Sequence, residues 1–126
     1  MKFQMTSVAL LASLWTAAPA SAHPKLIAAV PAENATVAHP SKIQLTFSEQ
    51  LMPKLSGGTL VMTAMPGMGG DSLMSVGKVK STIGADGKSL ILSSAAPLKA
   101  GTYLVDWHTA STDGHRAAGK YSFTVR

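Results

Sequence analysis

His23 stands directly behind the small-residue triplet Ala20-Ser21-Ala22 and directly before Pro24. Cleavage after Ala22 would make His23 the first residue, with its α-amine and imidazole side by side. Those two nitrogens close a six-membered ring on a metal ion. Pro24 has no amide N–H, so the metal cannot recruit a deprotonated backbone nitrogen at the second position. The chelate therefore stops at amine plus imidazole and needs further ligands. The stretch Ser111-Thr112-Asp113-Gly114-His115-Arg116 supplies candidates. Asp113 and His115 can point a carboxylate and an imidazole at one centre, because Gly114 lets the backbone turn tightly between them. Two imidazoles, an amine and a carboxylate suit Cu(II) in tetragonal geometry. Zn(II) accepts the same donors. Taken singly, a terminal histidine is an ordinary chain end and Asp-Gly an ordinary turn.

A second group of donors is soft. Met62, Met65, Met68 and Met74 fall within one stretch rich in Gly and Pro, MTAMPGMGGDSLM. Thioethers bind Cu(I) and are poor ligands for hard cations. A Gly- and Pro-rich loop is also a poor place to bury core residues. The bland reading is that Met62 ends a strand and packs in the core, with the others forming an adaptable apolar patch. Met52 lies outside this run and reads as core or rim.

The elements that must hold these groups are short strands. Helical periodicity is nearly absent after residue 22, and alternating segments recur between Gly, Pro, Asn, Asp and Ser. Strands are predicted near Leu26–Val30, Ile43–Phe47, Thr59–Thr63, Val76–Thr82, Ser89–Leu92, Thr102–His108 and Lys120–Val125. Ile43, Leu45 and Phe47 share one face; so do Tyr103, Val105 and Trp107, and again Tyr121, Phe123 and Val125. Seven such strands suggest an all-β, seven-stranded Greek-key β-sandwich. A small open barrel is the close alternative. The longest irregular stretch, Ala64 to Ser75, holds Met65, Met68 and Met74, and long loops in compact domains are often functional.

Composition sets the compartment. Met1 and Lys2 precede an apolar run, Val8 to Trp15, and an Ala-x-Ala site, so residues 1–22 read as a removable export signal. The apolar run is shorter than the ~20 residues a membrane span needs. Residues 23–126 then form a single domain. The chain has no cysteine, which excludes disulfides and thiolate metal sites. Its net charge is +5, one unit of which leaves with Lys2. The basic residues are scattered singly, without the aromatic-interleaved basic run of a nucleic-acid binder.

Several stretches together resemble the periplasmic copper-resistance protein C (CopC) family. They are AHPKL at the cleavage point, VPAENATV followed by PSKIQLTFSEQL, the M-x-x-M-x-x-M run, and PLKAGTYLVDWHTASTDGHRAAGKYSFTV. The resemblance covers essentially the whole chain after residue 22. It implies a cupredoxin-like, immunoglobulin-like Greek-key β-sandwich that binds copper in the periplasm and catalyses no known reaction. It implies a Cu(II) site of His23, Asp113 and His115, with Glu49 of FSEQ matching a family carboxylate near that copper. It implies a Cu(I) site drawn from Met62, Met65, Met68 and Met74. Relatives with a full methionine loop often carry a histidine there; this loop has none, and Asp71 stands nearest that place. A thioether-only site is therefore expected. His39 and His108 match no family ligand and read as surface residues. The family also implies a carrier that hands copper to an inner-membrane copper transporter or a periplasmic multicopper oxidase, and the single domain is expected to be a monomer.

Two other functions compete. An N-terminal histidine with a distant histidine also resembles the histidine brace of copper mono-oxygenases. Against it, the domain is small for a polysaccharide surface, and Asp113 would occupy a position that oxygen activation needs open. The other competitor is a plain interaction sandwich with incidental metal ligands.

Overall fold

The computed structural model describes residues 24–65, 74–76 and 79–126, with backbone alone for Met74 and Ser75. The expected leader 1–22, His23 and Met68 lie outside the described residues. The strands are β1 (Leu26–Val30), β2 (Thr36–Val37), β3 (Lys42–Phe47), β4 (Gly57–Ala64), β5 (Met74–Ser75), β6 (Val79–Ile83), β7 (Ser89–Ser94), β8 (Gly101–Ala110) and β9 (Arg116–Val125), with one 3-10 turn at Pro53–Leu55. No described helix is long and apolar enough to cross a membrane.

Two separate sheets face each other, a four-stranded sheet in the order β1-β3-β7-β6 and a five-stranded sheet in the order β2-β9-β8-β4-β5. This is the sandwich and not the open barrel. Neighbours far apart in sequence, β3 beside β7 and β4 beside β8, give the Greek-key pattern. The predicted strand Val76–Thr82 corresponds to β6, which starts three residues later and pairs with β7. The two-residue β5 just before it pairs with β4 in the other sheet.

The period-two faces meet in the middle. Ile43, Leu45 and Phe47 of β3 and Leu90 and Leu92 of β7 pack against Leu60 of β4, Tyr103, Val105 and Trp107 of β8, and Tyr121, Phe123 and Val125 of β9. Phe47 and Trp107 join the sheets edge to face, ring centroids 5.0 Å apart. Such a pair adds about 0.5–1.5 kcal/mol beyond the area it buries. Tyr121 lies inside the sandwich and donates its hydroxyl to the Pro31 carbonyl at 2.9 Å. Burial pushes that phenol up to about 12.

The long hairpin β8–β9 sets the axis of the molecule. Its ten pairs run from Gly101–Val125 to Ala110–Arg116. The Asp113–His115 turn closes one end. The β4–β5 hairpin, with Met62 opposite Met74, lies toward the other.

Candidate metal centre

The turn Ser111–His115 continues the β8–β9 ladder by one bond, from Ser111 N–H to the His115 carbonyl at 2.8 Å, and tightens through Gly114 N–H to Ser111 C=O at 2.9 Å. Gly114 has φ +93 and nothing within 4 Å of a notional Cβ. Its role is therefore conformational, not spatial: the backbone needs a left-handed residue there.

Three donors converge on one oxygen of Asp113. The Ser111 hydroxyl donates to Oδ1 in a short hydrogen bond. The His115 amide donates to it at 3.3 Å, and His115 Nδ1 stands 3.0 Å away. The Ser111 hydroxyl and, next, His115 hold the Asp113 carboxyl well below the usual carboxylate range, at about 2. It is ionised at any physiological pH. An Nδ1–H directed at Asp113 puts the imidazole lone pair on Nε2, the nitrogen that would ligate a metal. Asp113 can thus orient His115 through Oδ1 while Oδ2 is not engaged by these three contacts.

A backbone junction assembles this end of the sandwich. Lys25 N–H donates to Ser48 Oγ at 3.0 Å and Ser48 N–H to the Lys25 carbonyl at 2.9 Å. Thr112 N–H donates to the Gln50 carbonyl at 3.1 Å, and Leu51 bridges to Ser111. Leu51 N–H also reaches the Gly87 carbonyl at 2.8 Å. Half-buried Glu49 therefore sits between the residue that bonds Lys25 and the residue that bonds Thr112. Pro24 is buried, and Lys25, two residues after His23, is tied down beside Glu49. Among the described residues no group of three or more His, Cys, Asp or Glu forms a metal cluster. The described donors here are the pair Asp113–His115, with Glu49 on the adjoining segment.

Ser111 is the residue of this turn that sequence reading passed over. Its signal is a hydroxyl two residues before an aspartate in a turn, where Ser and Thr bond local groups. It is 1% exposed, so its hydroxyl is committed to the turn.

The methionines divide. Met62 is 8% exposed and belongs to the core, with its sulfur 3.4 Å from where a Cβ on Gly101 would lie. Met65 is partly buried against the core. Met74 is placed by its backbone opposite Met62. Met68 lies outside the described residues. Met52 is half-buried at the opposite end, its N–H bonded to the Ala110 carbonyl at 2.8 Å. His108 is exposed on the outer face of β8, and the His39 ring lies 2.9 Å from the Leu98 carbonyl, so neither joins the ligand candidates.

The two donor groups are separated by the length of β8. Ten residues at about 3.4 Å each put roughly 30 Å between the Asp113 turn and the Met65 end. A metal ion cannot pass directly between groups that far apart.

Comparison with known proteins places this architecture. Residues 26–126 match the family profile described as the CopC domain. The chain belongs to the CopC family. It is 44% identical over 121 residues to "Copper resistance protein C" of Xanthomonas campestris pv. juglandis, covering 96% of this chain and 94% of the relative. It is 50% identical over 107 residues to "Copper resistance protein C" of Escherichia coli, covering 85% and 84%. The crystal structure of PcoC, described as a methionine-rich copper resistance protein from Escherichia coli, superposes with a TM-score of 0.75 at 48% identity, covering 83% of this chain and all of that one. The CopC sandwich expected from the resemblance is thereby established for this chain.

Proposed function

We propose that this CopC-family protein is a copper-binding protein of copper resistance, exported to the periplasm behind a cleaved leader of residues 1–22. It holds Cu(II) at the β8–β9 turn and Cu(I) at the methionine end. The observation that carries this reading is the Asp113–His115 pair, locked by the Ser111 hydroxyl on an exposed turn of a CopC sandwich. The turn offers an ionised carboxylate and an oriented imidazole, and the chain start is tied down beside it. His23 amine and imidazole complete an N3O set that suits Cu(II), with Glu49 as the adjoining carboxylate.

At the other end Met65, Met68 and Met74 supply thioethers for Cu(I), and Met62 backs them from the core. The roughly 30 Å separation supports two independent sites sorted by softness, so exchange of copper between them requires release and recapture. A carrier or buffer that hands copper to a membrane transporter or a multicopper oxidase uses the sites in that way. The mature chain is taken as monomeric and non-catalytic. The histidine-brace reading is disfavoured because the carboxylate of Asp113 stands beside His115, where oxygen activation needs an open position.

The test is a Cu(II) titration of protein beginning at His23, beside a twin with one extra residue before it, followed by EPR. Loss of tight binding in the extended protein supports the terminal chelate. Equal binding by both removes His23 from the site.

A further inference from the structure

The two outer faces of the sandwich differ in their carboxylates. β1, β3, β6 and β7 contain no Asp or Glu, and their only charged residues are Lys42 and Lys80. The five-stranded sheet carries, besides exposed Arg116, a carboxylate: Asp106 faces outward against Lys120, 3.8 Å apart. Ile43, Leu45 and Phe47 point inward, so Lys42, Gln44 and Thr46 point outward. Register then fixes what stands beside them. Lys42, Ser93 and Lys80 form one row across three strands. Val30, Gln44, Ile91 and Thr82 form the next.

The two lysines are two strands apart, about 10 Å. Val30 is 69% exposed and Ile27, on the same edge strand, 64%. Leu98 N–H bonds the Pro40 carbonyl at 2.8 Å, which brings Lys99 to the lysine margin of this sheet. Edge strands are ordinarily protected by charge. Here the edge strand β1 carries none and exposes its aliphatic side chains.

Aliphatic groups edged by lysines, with no carboxylate in the strands, suit an interface that is apolar inside and anionic outside. Val30 and Ile27 can enter the headgroup boundary while lysine stems lie along it and their ammonium groups reach phosphates. An acidic protein surface would match the lysines but leave exposed Val30 and Ile27 without an apolar counterpart. We propose that the outer face of the four-stranded sheet is an adsorption surface for anionic phospholipid bilayers. Lying flat on this face, the protein would keep its strands parallel to the membrane. Both ends of the sandwich would stay open to neighbours at the surface.

The test is co-sedimentation with vesicles of 30% phosphatidylglycerol in phosphatidylcholine, against pure phosphatidylcholine, at low and high salt. Binding is expected to the anionic vesicles only, and to fall with salt. Each lysine near such a surface is worth roughly fivefold in partitioning. The variant K42S/K80S/K99S is expected to lose roughly a hundredfold, and Val30→Ser a smaller factor. The variant K54S/R116S/K120S, with the same charge change away from the four-stranded sheet, is expected to bind as the parent does. Equal losses in both triple variants would mean net charge and not this face, and would overturn the proposal. Failure to bind anionic vesicles, with retention on immobilised polyglutamate, would overturn it in favour of an acidic protein partner.

Discussion

Replacing Gly119 by Ala tests how tightly the core is packed beneath the β8–β9 hairpin. Gly119 lies in β9 directly opposite Trp107 of β8. A Cβ at Gly119 would lie 2.5 Å from Trp107 Cζ2, 2.8 Å from Cε2 and 3.1 Å from Nε1. Separations under 3 Å are not tolerated, so the indole must move. It has little room, because Phe47 of the other sheet packs edge-on against it at 5.0 Å and is itself fully buried. Overpacking of this kind costs about 1–3 kcal/mol. For a domain near 100 residues that lowers Tm by about 5–20 °C. Thermal denaturation followed by circular dichroism measures the loss, and the emission of Trp107 is expected to shift red as the ring is displaced. The same substitution in a Trp107→Phe background should cost much less, because the smaller ring vacates the volume the new methyl enters. A Gly119→Ala protein that melts with the parent would refute the reasoning. So would an equal loss in both backgrounds, which would place the cost in backbone terms and not in the Trp107 contact.

Three further outcomes are expected. Ser111→Ala removes the main cause of the depressed Asp113 ionisation, so the carboxyl should titrate closer to its ordinary value of 3.8 by NMR than the about 2 of the parent. Because the folded value is the lower one, Asp113 favours the folded state above the unfolded carboxylate range, and that contribution disappears as pH falls from about 4 toward 2. An unchanged titration would remove Ser111 from the site. His115→Ala should weaken Cu(II) binding at least tenfold and leave Cu(I) binding unchanged, whereas Leu at Met65, Met68 and Met74 together should do the reverse. Equal effects on both ions would sink the two-site scheme, and Met62→Leu, a volume-conserving core change costing under about 1.5 kcal/mol, serves as the packing control. Trp107 shares the inner face with Ser111, about 13 Å from it along β8, so stoichiometric Cu(II) should quench its emission. Full emission at that load would place the ion elsewhere.

Much of this protein follows from local pattern. Alternation of apolar and polar residues is a property of neighbouring positions, so Lys42–Phe47, Gly101–Ala110 and Arg116–Val125 could be located from sequence, to within a few residues at their ends. Ligand chemistry is equally local: an imidazole, a carboxylate or a thioether keeps its donor character wherever the chain puts it. The two-residue strands Thr36–Val37 and Met74–Ser75 carry too little alternation to read, and they exist because a longer neighbour offers hydrogen bonds.

Tertiary structure alone decided the rest. Pairing of β3 with β7 and β4 with β8 sets which loops share an end, and this separates the Asp113 turn from the methionine end by the length of β8. Met62 and Met65 look alike in the sequence, yet the pleat of β4 turns Met62 into the core beside Gly101. Ser111 acquires its role because closure of the β8–β9 turn brings its hydroxyl onto Asp113. Which donors exist is a matter of side-chain chemistry and is written residue by residue. Which donors meet depends on long-range strand pairing, where the partners are tens of residues apart and no local signal records the register.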